Sequence, residues 1–356
     1  MSESITLTVD YHDETCVVRR RDGRTHREQS LSVPTTADAL EQLLEQALAD
    51  GKAHCQRVVW IQESTTGWAR VQKLLGGRAE FVLANVLQMP RPPKGHRRKT
   101  DKVDTERLQR EYLNGKLPRA ATPGASWRQL RRLVALREDL VRRRTMLRCW
   151  IDRYLAHETW ADRSGLWTSS KGAKRFQKIL TTLPSSDQQV IKWKREELEL
   201  LGRQLDAVEA RFAEVHRDCP EARRLDAIRG IGVVASVSLV ARIGPIERFA
   251  DAEALIAYAG LAPGVQQSDQ TRRYGRVGGG GTDTRLRHYV IEATLWARQL
   301  PRYRRTYQRV AKRRGNKIGR LVVARMLLRG IYKVLRDGVE FDGEGAAGRR
   351  EPAVRP

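Results

Sequence analysis

Residues 5–10 read ITLTVD and residues 58–63 read VVWIQE. The first stretch alternates aliphatic and polar side chains with the period of two that a strand imposes. The second is a continuous apolar run, the pattern of a strand covered on both faces. Each closes on a carboxylate, so Asp10 and Glu63 are predicted at the C-terminal ends of two central strands, where α/β sheets bind ligands. Working outward, residues 15–18 and 24–33 supply further strand patterns, and three strands in succession read as an antiparallel meander. The period then changes. Thr35 or Thr36 can cap a helix whose apolar positions Ala39, Leu40, Leu43, Leu44, Ala47 and Leu48 recur at helical spacing up to Gly51. A helix over 68–75 and a short strand over 80–83 follow. Three strands, then alternating helix and strand, specify a mixed sheet, here an α/β domain over residues 1–115.

The chain has 356 residues, enough for two or three domains with real cores, which excludes a small disulfide scaffold. Lys and Arg number 67 against 42 Asp and Glu, a formal charge of +25, while 40% of residues are apolar. Such a chain folds and favours a polyanionic partner. The excess is concentrated. Residues 1–88 hold 10 basic and 12 acidic side chains, residues 89–150 hold 18 and 6, and residues 264–330 hold 17 and 3. Polyanion contact is therefore predicted after residue 88, a solvated basic surface being the plainer reading of either block alone. The longest apolar run, residues 232–241, is shorter than the ~20 residues of a membrane span, so no membrane partner is expected. The stretch MSESITLTVDYHDET has no basic flank followed by an apolar core, which points to the cytosol. Cys16, Cys55, Cys149 and Cys219 are too scattered for a zinc site or a disulfide framework.

Residues 89–99, MPRPPKGHRRK, read as a basic loop or linker. In the helix pattern KTDKVDTERLQREYL that follows, Asp101 and Asp104 stand three apart, on one face. If all four acids converge, their like charges repel and favour a bound Mg²⁺ or Mn²⁺, a pair of ions suiting phosphoryl transfer. Taken singly, a strand-end Asp forms caps and turns, and Asp101 with Asp104 complements a helix dipole.

The middle of the chain, residues 125–218, reads as a helical coiled-coil region. Ile191, Leu198, Leu205 and Phe212 recur every seven residues, with Leu201, Val208 and Val215 as the companion series and Lys194 as the break. A looser repeat runs through Leu130, Leu133, Leu140, Leu147 and Ile151. The two stretches form either an antiparallel hairpin or an oligomer seam. Residues 157–187 read as an irregular excursion. Residues 222–338 form a third, mainly α part, and residues 339–356 a disordered tail. Within the third part Gly230-Ile231-Gly232 lies between helical stretches, a helix-hairpin-helix signature whose backbone N–H groups can meet a phosphate; an ordinary αα-corner is the plainer reading. Glycines at 278–281 make a loop, and Arg272, Arg273, Arg276, Arg285 and Arg287 around it suit a nucleic acid backbone.

The order Asp, Glu, Asp-x-x-Asp on this β-β-β-α-β-α-β-α outline resembles the RuvC-like, RNase H-fold nucleases. The GIG turn, then YAGLAP, a serine five residues after the proline, a Gly/Arg-rich loop and LRHYVIEA resemble the C-terminal domain of one insertion-sequence family. These are the serine-containing DEDD transposases, described as bridge-RNA-guided recombinases, and the likeness runs from about residue 5 to 338. It implies that Asp10, Glu63, Asp101 and Asp104 bind the metal and that Ser268 is the nucleophile joined transiently to a DNA phosphate. It also implies donor and target DNA, a structured noncoding bridge RNA and a dimer or tetramer as partners, at the nucleoid. Three features depart from the pattern: Asp269 stands where the family has glycine, the run 278–281 replaces a basic residue before its final glycine, and the glutamate motif ESTTGW, residues 63–68, is one residue longer than the common form. A RuvC-like nuclease using water, or an inactive nucleic-acid-binding remnant, are the competing functions.

Overall fold

The computed structural model describes residues 4–65, 67–89, 101–268, 271–277 and 282–343, with backbone alone at 87, 101–102 and 263–277. Most of the 89–99 stretch, Asp269 and the glycines 278–281 lie outside these residues, as do 344–356. The chain divides into two compact units, Met1–Thr122 and Pro123–Pro356.

The first unit is built on a five-stranded mixed sheet. Strands β1 (Ser4–Asp10), β2 (Thr15–Asp22) and β3 (Glu28–Pro34) form the antiparallel part. Helix α1 (Ala37–Ala53) leads to β4 (Arg57–Glu63), α2 (Trp68–Leu75) to β5 (Glu80–Ala84), and α3 (Asp101–Leu113) closes the series. The order is β3-β2-β1-β4-β5, with β4 parallel to both β1 and β5. This is the mixed sheet the sequence pattern specifies. Thr36 is the cap of α1, its hydroxyl accepting from the Ala39 amide.

The period-two alternation divides β1 between two faces. Ile5, Leu7 and Val9 pack with Leu40, Leu43 and Leu44 of α1, and Val58 and Trp60 of β4 join them. Thr6 and Thr8 turn to the opposite face, against which α3 packs. There Gln109 of α3 donates to the Thr6 hydroxyl at 3.2 Å, and Val59, Ile61 and Val82 make an apolar patch with Tyr112. A seam of buried Thr and Gln thus ties α3 to the sheet and fixes its register more specifically than apolar contact does.

The second unit contains α4 (Ala125–Glu158), α5 (Ser170–Leu180), α6 (Ser185–Asp218), α7 (Pro220–Asp226), α8 (Val233–Ile243) and α9 (Ala252–Tyr258). The hairpin β6 (Pro263–Ser268) and β7 (Thr271–Val277) follows, then α10 (Thr284–Ala297), α11 (Pro301–Arg314) and α12 (Asn316–Asp337). One core cluster runs through α4, α6, α8, α10 and α12. The two stripes of the helical middle meet each other inside the chain: α4 and α6 are antiparallel, with Arg137 against Glu209 and Tyr154 against Asp187. No described helix is long and apolar enough to cross a membrane.

Two expectations are corrected. The excursion 157–187 contains a regular helix, α5. Its loop-like residues have other uses: Ser169 caps the helix, accepting from the Gly172 amide at 3.0 Å, and a Cβ on Gly172 would overlap the Gly165 carbonyl. Glycine here is a close-packing residue, not a breaker. The stretch around Arg272, Arg273 and Arg276, expected as loop, is a strand of a two-stranded sheet. Cross-strand pairing supplies what no apolar period announces. Phe341, in the segment expected as tail, rests against Tyr303 at 6.3 Å between ring centroids and covers Gly330.

Candidate active site

The register of β1 and β4 decides the geometry of the first unit's site. Thr8 pairs with Ile61 and Val9 with Gln62 in parallel, so one step further along the strands Asp10 and Glu63 end neighbouring strands at the same edge. Alternation puts both on the face that carries α3, as it does Thr6, Thr8, Val59 and Ile61. Asp104 lies on the first turn of α3. The three half-buried carboxylates line one cavity of about 440 Å³, with His12 and Arg107 also in its wall. His12 Nε2 stands 3.4 Å from Asp10 Oδ2. Asp101 begins α3, one turn before Asp104, and its side chain lies outside the described residues.

Carboxylate oxygens at a sheet edge are the donors that hard divalent cations such as Mg²⁺ take, so the donor set fits an ion of that class. Among the described residues no three carboxylate, histidine or cysteine side chains form a ready ligand group; the acids share a cavity without closing on one point.

The turn after Glu63 is shaped by a residue that sequence reasoning passed over. Gly67 has φ +86°, and a Cβ there would overlap the Tyr11 ring. Tyr11 is 8% exposed and follows Asp10 directly. The Gly67 backbone therefore lies close against the ring, so the residue after Asp10 packs on the turn that opens α2. A glycine before a tryptophan at a helix start was the available signal; the ring it faces was not.

In the second unit Ser268 is the last residue of β6, opposite Thr271 at the tip of the hairpin, with its side chain outside the described residues. Arg272, Arg273 and Arg276 lie along β7, their side chains likewise outside the described set. Arg285 and Arg287 lie on α10: Arg285 Nε is 3.6 Å from Glu138, and Arg287 donates to the Gly260 carbonyl at 3.3 Å. Gly230 has φ +97° in the turn between α7 and α8, where a Cβ would come within 2.8 Å of the Ala293 carbonyl. That position serves close packing. Gly232 starts α8 with open space around it.

Both stems of the hairpin are anchored to the helices. The Asp283 amide donates to the Tyr258 carbonyl at 2.8 Å, and Arg325 donates to the Leu261 carbonyl at 2.7 Å. Asp283 also caps α10, accepting from the Leu286 amide at 2.8 Å. Arg242 joins it to α4: Nη2 lies 2.6 Å from Glu138 Oε2 and Nη1 3.2 Å from Asp283 Oδ2. Burial works against charge on this guanidinium, but Asp283 and Glu138 outweigh it and hold Arg242 above its ordinary value. The sequence offered no sign of this network, in which Arg242 lies 104 residues from Glu138 and 41 from Asp283.

Two family models match the chain. Residues 7–157 match a DEDD transposase model of the IS110 type, and residues 222–309 match the model described as Transposase IS116/IS110/IS902 family. None of the curated proteins is detectably similar in sequence. The mixed sheet with its shared acid cavity fits a DEDD nuclease-like domain, and the class is that of a DNA-processing transposase. Within it, the chain belongs to the IS110 family of insertion-sequence transposases.

Proposed function

We propose that this transposase cuts and rejoins DNA by phosphoryl transfer, with Asp10, Glu63, Asp101 and Asp104 holding Mg²⁺ or Mn²⁺ and Ser268 as nucleophile. The observation that carries the reading is that Asp10, Glu63 and Asp104 line one cavity on the α3 face of the sheet. A divalent ion held there would offset charge developing on a phosphodiester. The Ser268 hydroxyl gives up its proton as its oxygen bonds to phosphorus, and the P–O bond to one side of the cut breaks, leaving that strand with a free hydroxyl. A hydroxyl of the second DNA then attacks the phosphoserine, returning Ser268 and restoring one phosphodiester for each one broken. No net hydrolysis occurs, so joining needs no external energy source.

The partners in this reading are donor and target DNA and a noncoding bridge RNA, working at the nucleoid. The basic β7 and the open start of α8, read as a helix-hairpin-helix, meet the backbone. The α4–α6 pair, read as a coiled coil, joins copies into a dimer or tetramer: with its stripes packed inside the chain, it still exposes Met146, Trp193 and Leu200. Incubation of the protein with Mg²⁺, element-end DNA and the flanking noncoding RNA tests the reading. Wild type should give a covalent protein–DNA species; Ser268→Ala, and separately Asp10→Asn, should lose it while still binding DNA. Full recombination by Ser268→Ala would refute the serine role. Cut products with free ends would assign the cavity to a water-using nuclease.

A further inference from the structure

A concavity of about 420 Å³ in the second unit is lined by Arg229, Arg298, Gln299, Arg304, Tyr307 and Gln308. Among the described residues no carboxylate lines it. Gly230, which only glycine can fill, presses the α7–α8 turn onto the end of α10 and so brings the Arg229 guanidinium over the Trp296 ring at 5.9 Å from the centroid. Trp296 is 53% exposed, so much of its ring is open to solvent beside these cations. Arg298 is set by Tyr307, donating to its hydroxyl at 2.9 Å with the guanidinium 5.2 Å from the ring centroid. Arg304 and Gln308 share one face of α11, a helix with seven basic residues and no acid. The combination is a flat aromatic ring beside a cage of guanidiniums and amides, in a field that attracts polyanions.

We propose that this pocket and the Trp296 ring beside it bind unpaired DNA: a base stacks on Trp296, and the phosphate next to it is held in the pocket by Arg229, Arg298 and Arg304. A stacking platform with arginines around it takes a single strand, whose bases expose their faces; in a duplex those faces are covered. The proposal commits to DNA, the substrate that membership of this transposase family implies; occupation by the bridge RNA is the outcome the test separates from it. The inference rests on that reading but not on the roles of the acids or of Ser268.

The test is binding of the full chain, in EDTA so that no metal-dependent step contributes, to a labelled 15-nucleotide single strand, its duplex, and the RNA of the same sequence. Trp296→Ala should weaken single-stranded DNA binding by ~5- to 100-fold. Arg229→Gln and Arg304→Gln should each weaken it several-fold and lower the salt slope by ~0.7. Trp296→Phe should bind nearly as wild type, and duplex affinity should change less than about twofold. Arg203→Gln, an exposed position on α6, controls for net charge. Single-strand binding that is unchanged in all three variants, or weakened as much by Arg203→Gln, overturns the proposal. Losses confined to the RNA overturn the choice of DNA. Failure of wild type to join DNA in Mg²⁺, measured separately, would count against the proposed function and leave this site standing.

Discussion

Replacing Arg242 with leucine probes the anchor of the β6–β7 hairpin. Side-chain exposure is 20% for Arg242, 10% for Glu138 and 14% for Asp283, so the substitution leaves two poorly solvated carboxylates without the cation they share. Removing one partner of a buried ion pair costs ~3–5 kcal/mol. Arg285, 3.6 Å from Glu138, remains and reduces the loss, to ~2–4 kcal/mol by the same reasoning. For a unit of this size that lowers Tm by roughly 5–15 °C. The sign with pH separates charge from packing. A carboxylate relieved by taking up a proton makes the folded variant bind protons more readily than the unfolded chain, so its stability rises as pH falls. Thermal melts of Arg242→Leu at pH 8 and pH 5 should show the larger loss at pH 8, and adding Glu138→Gln should restore much of it. A loss equal at both pH values and untouched by Glu138→Gln would refute the electrostatic account and leave only lost packing.

Gly67→Ala should destabilise the first unit by ~2–4 kcal/mol, the sum of a left-handed alanine and an overlap with Tyr11. In a Tyr11→Ala background the same change should cost only the backbone part, about 1–2 kcal/mol, and hydrogen exchange of β1 and β4 peptides reads the coupling; equal costs in both backgrounds would show that the ring is not the obstacle. Asp22 is an acid-stability residue. Its partial burial opposes ionisation, but the Thr25 and Arg24 amides and Gln56 hold its carboxyl down to about 2 from 3.8. Its contribution is therefore complete above pH ~4 and disappears as pH falls from there to about 2. Asp22→Asn should lose ~1–2 kcal/mol at pH 7 after allowance for solvent and flatten the pH dependence between 4 and 2 in denaturant titrations; an unchanged pH profile would contradict it.

Local pattern carried most of the first unit. Strand periodicity alone put Asp10 and Glu63 at strand ends, and the Thr35–Thr36 pair announced the start of α1, because alternation and capping are properties of a few consecutive residues. The charge blocks and the serine segment were legible for the same reason, and with them the family. Tertiary structure alone decided that Asp10 and Glu63 end adjacent strands on one face and that Asp104 joins them across a polar seam, since register depends on pairings some fifty residues apart. It also decided that the α4 and α6 stripes close on each other within one chain, an option that heptads leave open because an apolar stripe does not identify its partner. Gly67 under Tyr11, Gly172 against Gly165 and the Glu138–Arg242–Asp283 network could not be read beforehand. A glycine's missing side chain, or one member of an ion pair, has meaning only beside the distant atom that it meets.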